Sequence, residues 1–219
     1  MGGAGGSTGG GQTAHDGPYQ NDHVGILNPG TTVAGTGVHP GIGVLVGLGV
    51  AVAVAVGAGV GVAAAHALAA LARVVWQGAY TGIITQAQID YMLAQRYNAP
   101  RLLDELEATG IWWDKATVDG QMVAFASTLR GPAAHEMKVD KLYVDPQWQR
   151  RGIGGRLLDH IAERALAQAC DTLLLAVNKR NEPAIAAYRK YGFSVRDAVC
   201  VNIGNDFVMD DFIMVKSLH

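Results

Sequence analysis

The segment LLLAV, Leu173 to Val177, carries no polar side chain. A short run without alternation reads as a strand buried on both faces, as in the middle of a sheet. Such a strand needs cover above and below, and the chain supplies it on either side. Upstream, GIGGRLLDHIAERALAQA sets Ile153, Leu157, Leu158, Ile161, Ala165 and Leu166 at helical spacing. Downstream, EPAIAAYRKY reads as a helix, with Asn181 as its N-cap and Gly192 as its stop.

The remaining segments extend this layout. IWWDKATV, QMVAFASTLR and MKVDKLYV are strands, the first two joined by Asp119-Gly120, a strong hairpin signal. Gly131-Pro132 breaks the chain before the third. Trp112 and Trp113 fall on opposite faces of the first, so one belongs to the core. Three helices precede the strands. AAHALAALARVVWQGAY turns His66, Leu68, Leu71, Val74 and Val75 roughly to one side. TQAQIDYMLAQRY has Thr85 as N-cap and Ile89, Met92 and Leu93 inward. Asn98 caps RLLDELEAT, with Pro100 in the first turn and Gly110 after the end. FSVRDAVCVN and DFVMDDFIMVKSL close the chain as strands. The expected fold is α/β of the α+β kind, a mixed and mostly antiparallel sheet with helices on both faces.

Composition divides the chain. No Asp, Glu, Lys or Arg occurs from His23 to Ala72, and the residues before are rich in Gly, Ser and Thr. The expected domains are a Gly/Ala/Val-rich extension, residues 1–63, disordered or an apolar helix, and a folded domain, residues 64–219. Residues 41–72 are long enough to span a bilayer. The strand-period alternation of Val50, Val52, Val54 and Val56 favours instead an extension that runs into the first strand and helix. A membrane anchor with a cytoplasmic catalytic domain is kept as the alternative to a cytoplasmic protein. The formal net charge of -2 gives no basic excess for nucleic acid. Cys170 and Cys200 lie far apart without a His/Cys cluster, which argues against a metal site and fits a reducing compartment.

The chemistry concentrates at QRRGIGG, Gln149 to Gly155, between a strand and a helix. Glycines at Gly152, Gly154 and Gly155 leave amides exposed at a helix N-terminus, which binds phosphate. Arg150 and Arg151 add charge. There is no GK[ST] for a Walker loop, and Leu157 stands where the dinucleotide fingerprint requires glycine. A tight strand-to-helix turn would need the same glycines.

A second motif, NKRNEPAIAAYRKYGF, follows the apolar strand. Gln149, Gly152 and Gly154 in the first motif, with Asn181, Ala184, Tyr188, Lys190, Gly192 and Phe193 in the second, resemble the GNAT superfamily of N-acetyltransferases. The resemblance runs from about Trp76 to Leu218 and extends to bacterial small-amine and polyamine acetyltransferases. It implies a sheet splayed at an acetyl-CoA site, with acetyl passed directly to a primary amine of a small molecule or peptide. It implies that Leu142, Tyr143 and Val144 pair with the pantetheine arm, and that the loop from Gln149 through Arg150, Arg151, Gly152, Ile153 and Gly154 to Gly155 holds the pyrophosphate. Asn181 and Ala184 then contact the cofactor arm, the Val144 amide stabilises the oxyanion, and Tyr188 protonates the departing thiolate. No metal is implied.

The attacking amine must lose a proton. Counted along KVDKLYV, Asp140 and Lys138 share a face with Val144, so Asp140 is the preferred base through water, an ordinary salt bridge being the competing role. His135 and Glu136 are weaker candidates. Asp206, Asp210 and Asp211 in the closing strands could attract a cationic amine or merely face solvent. A protein N-terminus or lysine is the rival acceptor, a non-catalytic CoA-binding module the rival function, and a homodimer is left open. The segment VAVAVGAGVGVAAAHA departs from the family, whose first strand carries a charged residue before an Asp-containing turn.

Overall fold

The computed structural model describes residues 50–54 and 61–219. One seven-stranded sheet organises them: β1 (Val50–Val54), β2 (Ile111–Val118), β3 (Gln121–Arg130), β4 (Glu136–Val144), β5 (Thr172–Asn178), β6 (Ser194–Gly204) and β7 (Phe207–Ser217), in the spatial order β1-β2-β3-β4-β5-β7-β6. Among these described strands only β4 and β5 pair in parallel. β5 lies between β4 and β7, with Leu173, Leu174, Leu175 and Val177 buried.

Helices cover both faces, as expected. On one side α1 (Gly61–Tyr80), α2 (Gln86–Arg96) and α3 (Ala99–Glu107) pack Leu68, Trp76, Ile89 and Leu102 against Trp113 and Phe125. On the other, α4 (Ile153–Ala167) and α5 (Glu182–Lys190) pack Leu158, Ile161 and Ile185 against Met137, Leu173 and Met214. Local signals set these elements. Thr85, Asn98 and Asn181 each accept a backbone N–H with the side chain at the start of α2, α3 and α5. Asp119 and Gly120 both have positive φ, the geometry of a two-residue hairpin turn; Asn205 and Asp206 repeat it between β6 and β7.

Two expectations change. The inward face of α1 is Ala65, Leu68, Leu71, Ala72, Val75 and Trp76, while His66 and Val74 are exposed. At its start α1 lies close to α3: a Cβ on Gly61 would stand 2.7 Å from Leu103 Cδ1. Leu166 is exposed although it continues the apolar spacing of α4. Ahead of Ala64 the described residues include β1, which pairs with β2 from Val50↔Val118 to Val54↔Asp114, and the start of α1 at Gly61. Residues 1–49 and 55–60, which include much of the apolar stretch 41–72, lie outside the described residues. Helix α1 is long and apolar enough to cross a membrane by length and composition, at mean hydropathy 1.2, and its inner face is packed into the domain.

Two irregularities interrupt β4. Its pairing with β5 covers Glu136–Lys138 against Thr172–Leu174, and beyond Lys138 the strands part. Its register with β3 slips, with Thr128 opposite Val139 and Ser127 opposite Lys141, so Asp140 is the extra residue of a β-bulge. The bulge re-aims side chains. Val139 and Leu142 pack on the α4 and α5 side. Lys138, Asp140, Lys141 and Tyr143 all turn toward α1, α2 and α3. Val144 packs with Ile153 and Leu157 of α4, so Asp140 and Lys138 do not share its face. A strict two-residue period cannot reveal such a slip.

Candidate active site

After β4 the chain is held tightly. Asp145 donates its backbone N–H to Val123 O at 2.8 Å, and its side chain caps the 3-10 turn Pro146–Trp148. Gln149 donates from Nε2 to Val144 O at 3.1 Å. Arg150 (φ 61°) and Gly152 (φ 80°) are both left-handed, and this turn delivers the chain into α4. For Gly152 the positive φ explains the residue. No side chain caps α4, so its first-turn amides and the positive end of its dipole face outward. A Cβ on Gly155 would meet nothing within 4 Å, and one on Gly154 only Val144 Cγ2 at 3.7 Å. Ile153 is buried beneath the turn. Arg151 lies over the Trp148 ring at 4.6 Å, and Arg150 is exposed. Uncapped amides, open space at two glycines and two nearby guanidinium groups fit a polyphosphate.

α5 starts just after β5 ends. Asn181 accepts from Ala184 N at 3.3 Å. Tyr188, half-buried, meets Phe193 edge-on at 5.7 Å between ring centres. Burial pushes its hydroxyl up to about 12, which keeps the proton on at neutral pH. Ala184 packs into the same layer. Leu142 and Val144 sit on the parted stretch of β4, facing α4, whereas Tyr143 points the other way, its hydroxyl 2.6 Å from that of Tyr97. The Tyr143 side chain therefore lies on the α1–α3 side of the sheet.

Asp140 is engaged on all sides. Arg96 at 3.2 Å, Lys138 at 3.2 Å and Lys141 at 2.8 Å surround its carboxylate. Lys141 is also 2.7 Å from Glu105. Burial opposes the charge, but these three cations outweigh it and hold Asp140 well below the usual carboxylate range. A carboxylate held this way has little affinity for a proton, so the geometry assigns Asp140 to the buried ion network rather than to proton removal. His135 and Glu136 lie at the paired end of β4. Glu136 bonds Arg196 and Ala133 N, and the His135 carbonyl accepts from Asp171 and Thr172.

The parted strands open on a cavity on the α1–α3 side. Trp76, Tyr80, Tyr97, Tyr143, Asn178 and Asp211 line it, with Arg96, Lys138 and Asp140 at one wall. Tyr80 stacks on Trp76 at 4.3 Å. Arg180 ties the loop between α1 and α2 to the start of α5 by donating to Gly82 O at 2.9 Å and to Ile83 O. Of the three acidic residues of the closing strands, Asp206 is in the exposed β6–β7 turn, Asp210 pairs with Lys179, and Asp211 alone is buried at the cavity. The contributions of Tyr80, Tyr97 and Arg180 had no motif to announce them; aromatic spacing at Trp76, Tyr80 and Tyr97 was the available signal.

Residues 76–193 match the sequence profile of the Acetyltransferase (GNAT) family, more than half of the chain. The chain belongs to the GNAT acetyltransferase family. Among relatives of this GNAT domain, the spermidine N(1)-acetyltransferase of Thermoplasma acidophilum is 25% identical over 147 residues, covering 65% of this chain and 88% of that protein. The ribosomal protein bS18-alanine N-acetyltransferase of Salmonella typhimurium is 39% identical over 80 residues, covering 36% of this chain and 53% of that enzyme. The match to it thus spans about half of its length. In fold, the GNAT domain is similar to the PaiA N-acetyltransferase of Thermoplasma acidophilum, solved in complex with coenzyme A. The TM-score is 0.64 at 23% identity, covering 77% of this chain and 98% of that one.

Proposed function

We propose that this chain transfers the acetyl group of acetyl-CoA directly to a primary amine of a small molecule or peptide. The observation that carries the reading is the parting of β4 from β5 beyond Lys138, with the uncapped N-terminus of α4 following β4 and α5, which carries Asn181 at its cap and Tyr188, following β5. The parted edge of β4 offers backbone groups to an extended pantetheine arm at Leu142, Tyr143 and Val144. The amides of the turn from Gly152 to Gly155, with Arg150 and Arg151, hold the pyrophosphate. Gln149 keeps the end of β4 in place, and Asn181 and Ala184 border the arm. Acetyl-CoA supplies the activated acyl group. The Val144 N–H is aimed to bond the oxyanion as charge develops there. Tyr188, protonated at neutral pH, donates to the leaving sulfur.

The relatives support amine acceptors of two kinds, spermidine in one and a ribosomal-protein alanine in the other. A cytoplasmic setting accords with the two unpaired cysteines, Cys170 and Cys200. The test is acetyl-CoA turnover against polyamines, amino acids, aminoglycosides and peptide amines. CoA release with one class identifies the acceptor. Measurable CoA binding with no release for any amine favours the non-catalytic binding module.

A further inference from the structure

Asp211 is the acidic side chain that the acceptor cavity holds without a cation on it. It lies on β7, 5% exposed, in register with Asn178 of β5 and Val199 of β6. The Asn178 side chain reaches its carboxyl. Its Oδ1 is fully buried and has no hydrogen-bond partner among the described residues. A buried carboxylate oxygen without a partner is costly, and Asp211 lines the cavity, so a donor entering there would complete it. Across the same cavity, Asp140 shows the contrast, with three cations fixed on it.

We infer that the Asp211 carboxylate takes the proton from the acceptor's ammonium group as that group becomes the attacking amine. The inference rests on the acetyl-transfer reading and adds its base. An ammonium seated between the rings of Trp76 and Tyr80 and the carboxylate donates one N–H to Oδ1. That proton passes to Asp211, and the freed nitrogen lone pair forms the N–C bond to the thioester carbonyl. The C–S bond breaks, and the sulfur takes a proton and leaves as CoA thiol. The nitrogen sheds its second proton to become a neutral amide. In balance, an ammonium and acetyl-CoA give an acetamide, CoA thiol and one proton, which Asp211 returns to solvent.

The surroundings suit the task. Burial first, then the adjacent Asp210, pushes the Asp211 carboxyl up to about 6, against the opposing pull of Lys179 and Asn178. Tyr80 of α1 faces it as well, and Arg96 of α2 with Lys138 and Asp140 of β4 line the same cavity. A base of that strength is ionised at neutral pH yet retains affinity for a proton, the compromise that general-base catalysis requires.

The experiment compares pH profiles of kcat and kcat/KM for the full chain, Asp211→Asn and Asp210→Asn, with acetyl-CoA affinity measured by calorimetry. Expected for the full chain is a rising limb with a midpoint near 6. Asp211→Asn loses the limb and roughly 10²–10⁴-fold in kcat, with acetyl-CoA affinity unchanged. Asp210→Asn keeps kcat and moves the limb to lower pH, because a like charge is gone. A limb and kcat retained in Asp211→Asn overturn the inference and leave acetyl transfer standing. A rise in KM alone overturns it too, by reducing Asp211 to an anchor. No turnover by the full chain with any amine overturns both. Should Asp211→Asn fail to fold, carboxyl ¹³C NMR of the full chain decides: an Asp titrating near 4 in place of one near 6 rejects the base.

Discussion

Asp140 and Lys141 are consecutive on β4, yet both side chains lie on one face of the sheet, Lys141 Nζ 2.8 Å from Asp140 Oδ2. The bulge at Asp140 makes this possible. It also gathers Arg96 from α2 and, through Lys141, Glu105 from α3 into one buried network. The same slip turns Tyr143 inward to Tyr97 and leaves Val144 facing α4. One extra residue thus both fastens the helical layer and sets which β4 side chains face each half of the site.

Asp140→Asn should act on stability more than on the chemical step. Removing the anion leaves Arg96, Lys138 and Lys141 crowded with reduced compensation. A loss of about 3–5 kcal/mol is expected for a broken buried ion network, read by chemical denaturation at pH 7. The carboxyl's depressed value in the fold means that its contribution is present above its unfolded value and is lost as pH falls through the folded one. The destabilisation by Asp140→Asn should therefore shrink in strong acid. A limb near 6 lost from the rate profile of this variant would restore Asp140 as the base.

Asp211→Asn should have the opposite sign. The folded protein raises this carboxyl from 3.8 to about 6, so ionisation costs stability above pH 6 and costs nothing below the unfolded value. At pH 8 the variant should be more stable by on the order of 3 kcal/mol, and at pH 3 the difference should vanish. Thermal melts at both pH values check this, and equal melting temperatures throughout would remove the buried-charge argument.

Tyr188→Phe removes a hydroxyl whose proton stays on at neutral pH while keeping the edge-on contact with Phe193. Turnover should fall about 10²-fold, with the acetyl-CoA dissociation constant within about twofold, a change of less than 1 kcal/mol. Undiminished turnover would end its role as the acid.

Gly154→Val should fill the space beside the first turn of α4. A Cβ alone fits there at ordinary contact distance from Val144, so the fold should survive, but the two γ-methyls would crowd the approach to the amides. Calorimetry should show acetyl-CoA binding weakened more than about tenfold, with an unchanged circular dichroism spectrum. Normal affinity would relocate the pyrophosphate.

A fragment beginning at Ala64 lacks β1 and the first residues of α1, and so exposes the edge of β2. It should aggregate more readily than a fragment beginning at Val50. Light scattering at matched concentration compares them, and equal behaviour would support the boundary at residue 64.

Residues close together in the chain set the central strand, the helices that cover it, their caps at Thr85, Asn98 and Asn181, and the turn at Asp119-Gly120. Each depends on residues a few positions apart, where spacing and side-chain chemistry are enough. The same short range sets the two motifs, because a glycine turn at a helix N-terminus and a tyrosine on the next helix are local patterns. Tertiary structure decided what depends on partners far along the chain. The bulge at Asp140 arises from pairing with β3 and reverses the face that a two-residue period assigns. The strength of Asp140 and Asp211 as acids follows from which charges the fold brings near. Three cations from α2 and β4 surround the first, while the second is buried with its Oδ1 unpartnered among the described residues. Two aspartates that look alike in sequence differ because burial penalises a charge that only folded neighbours can offset.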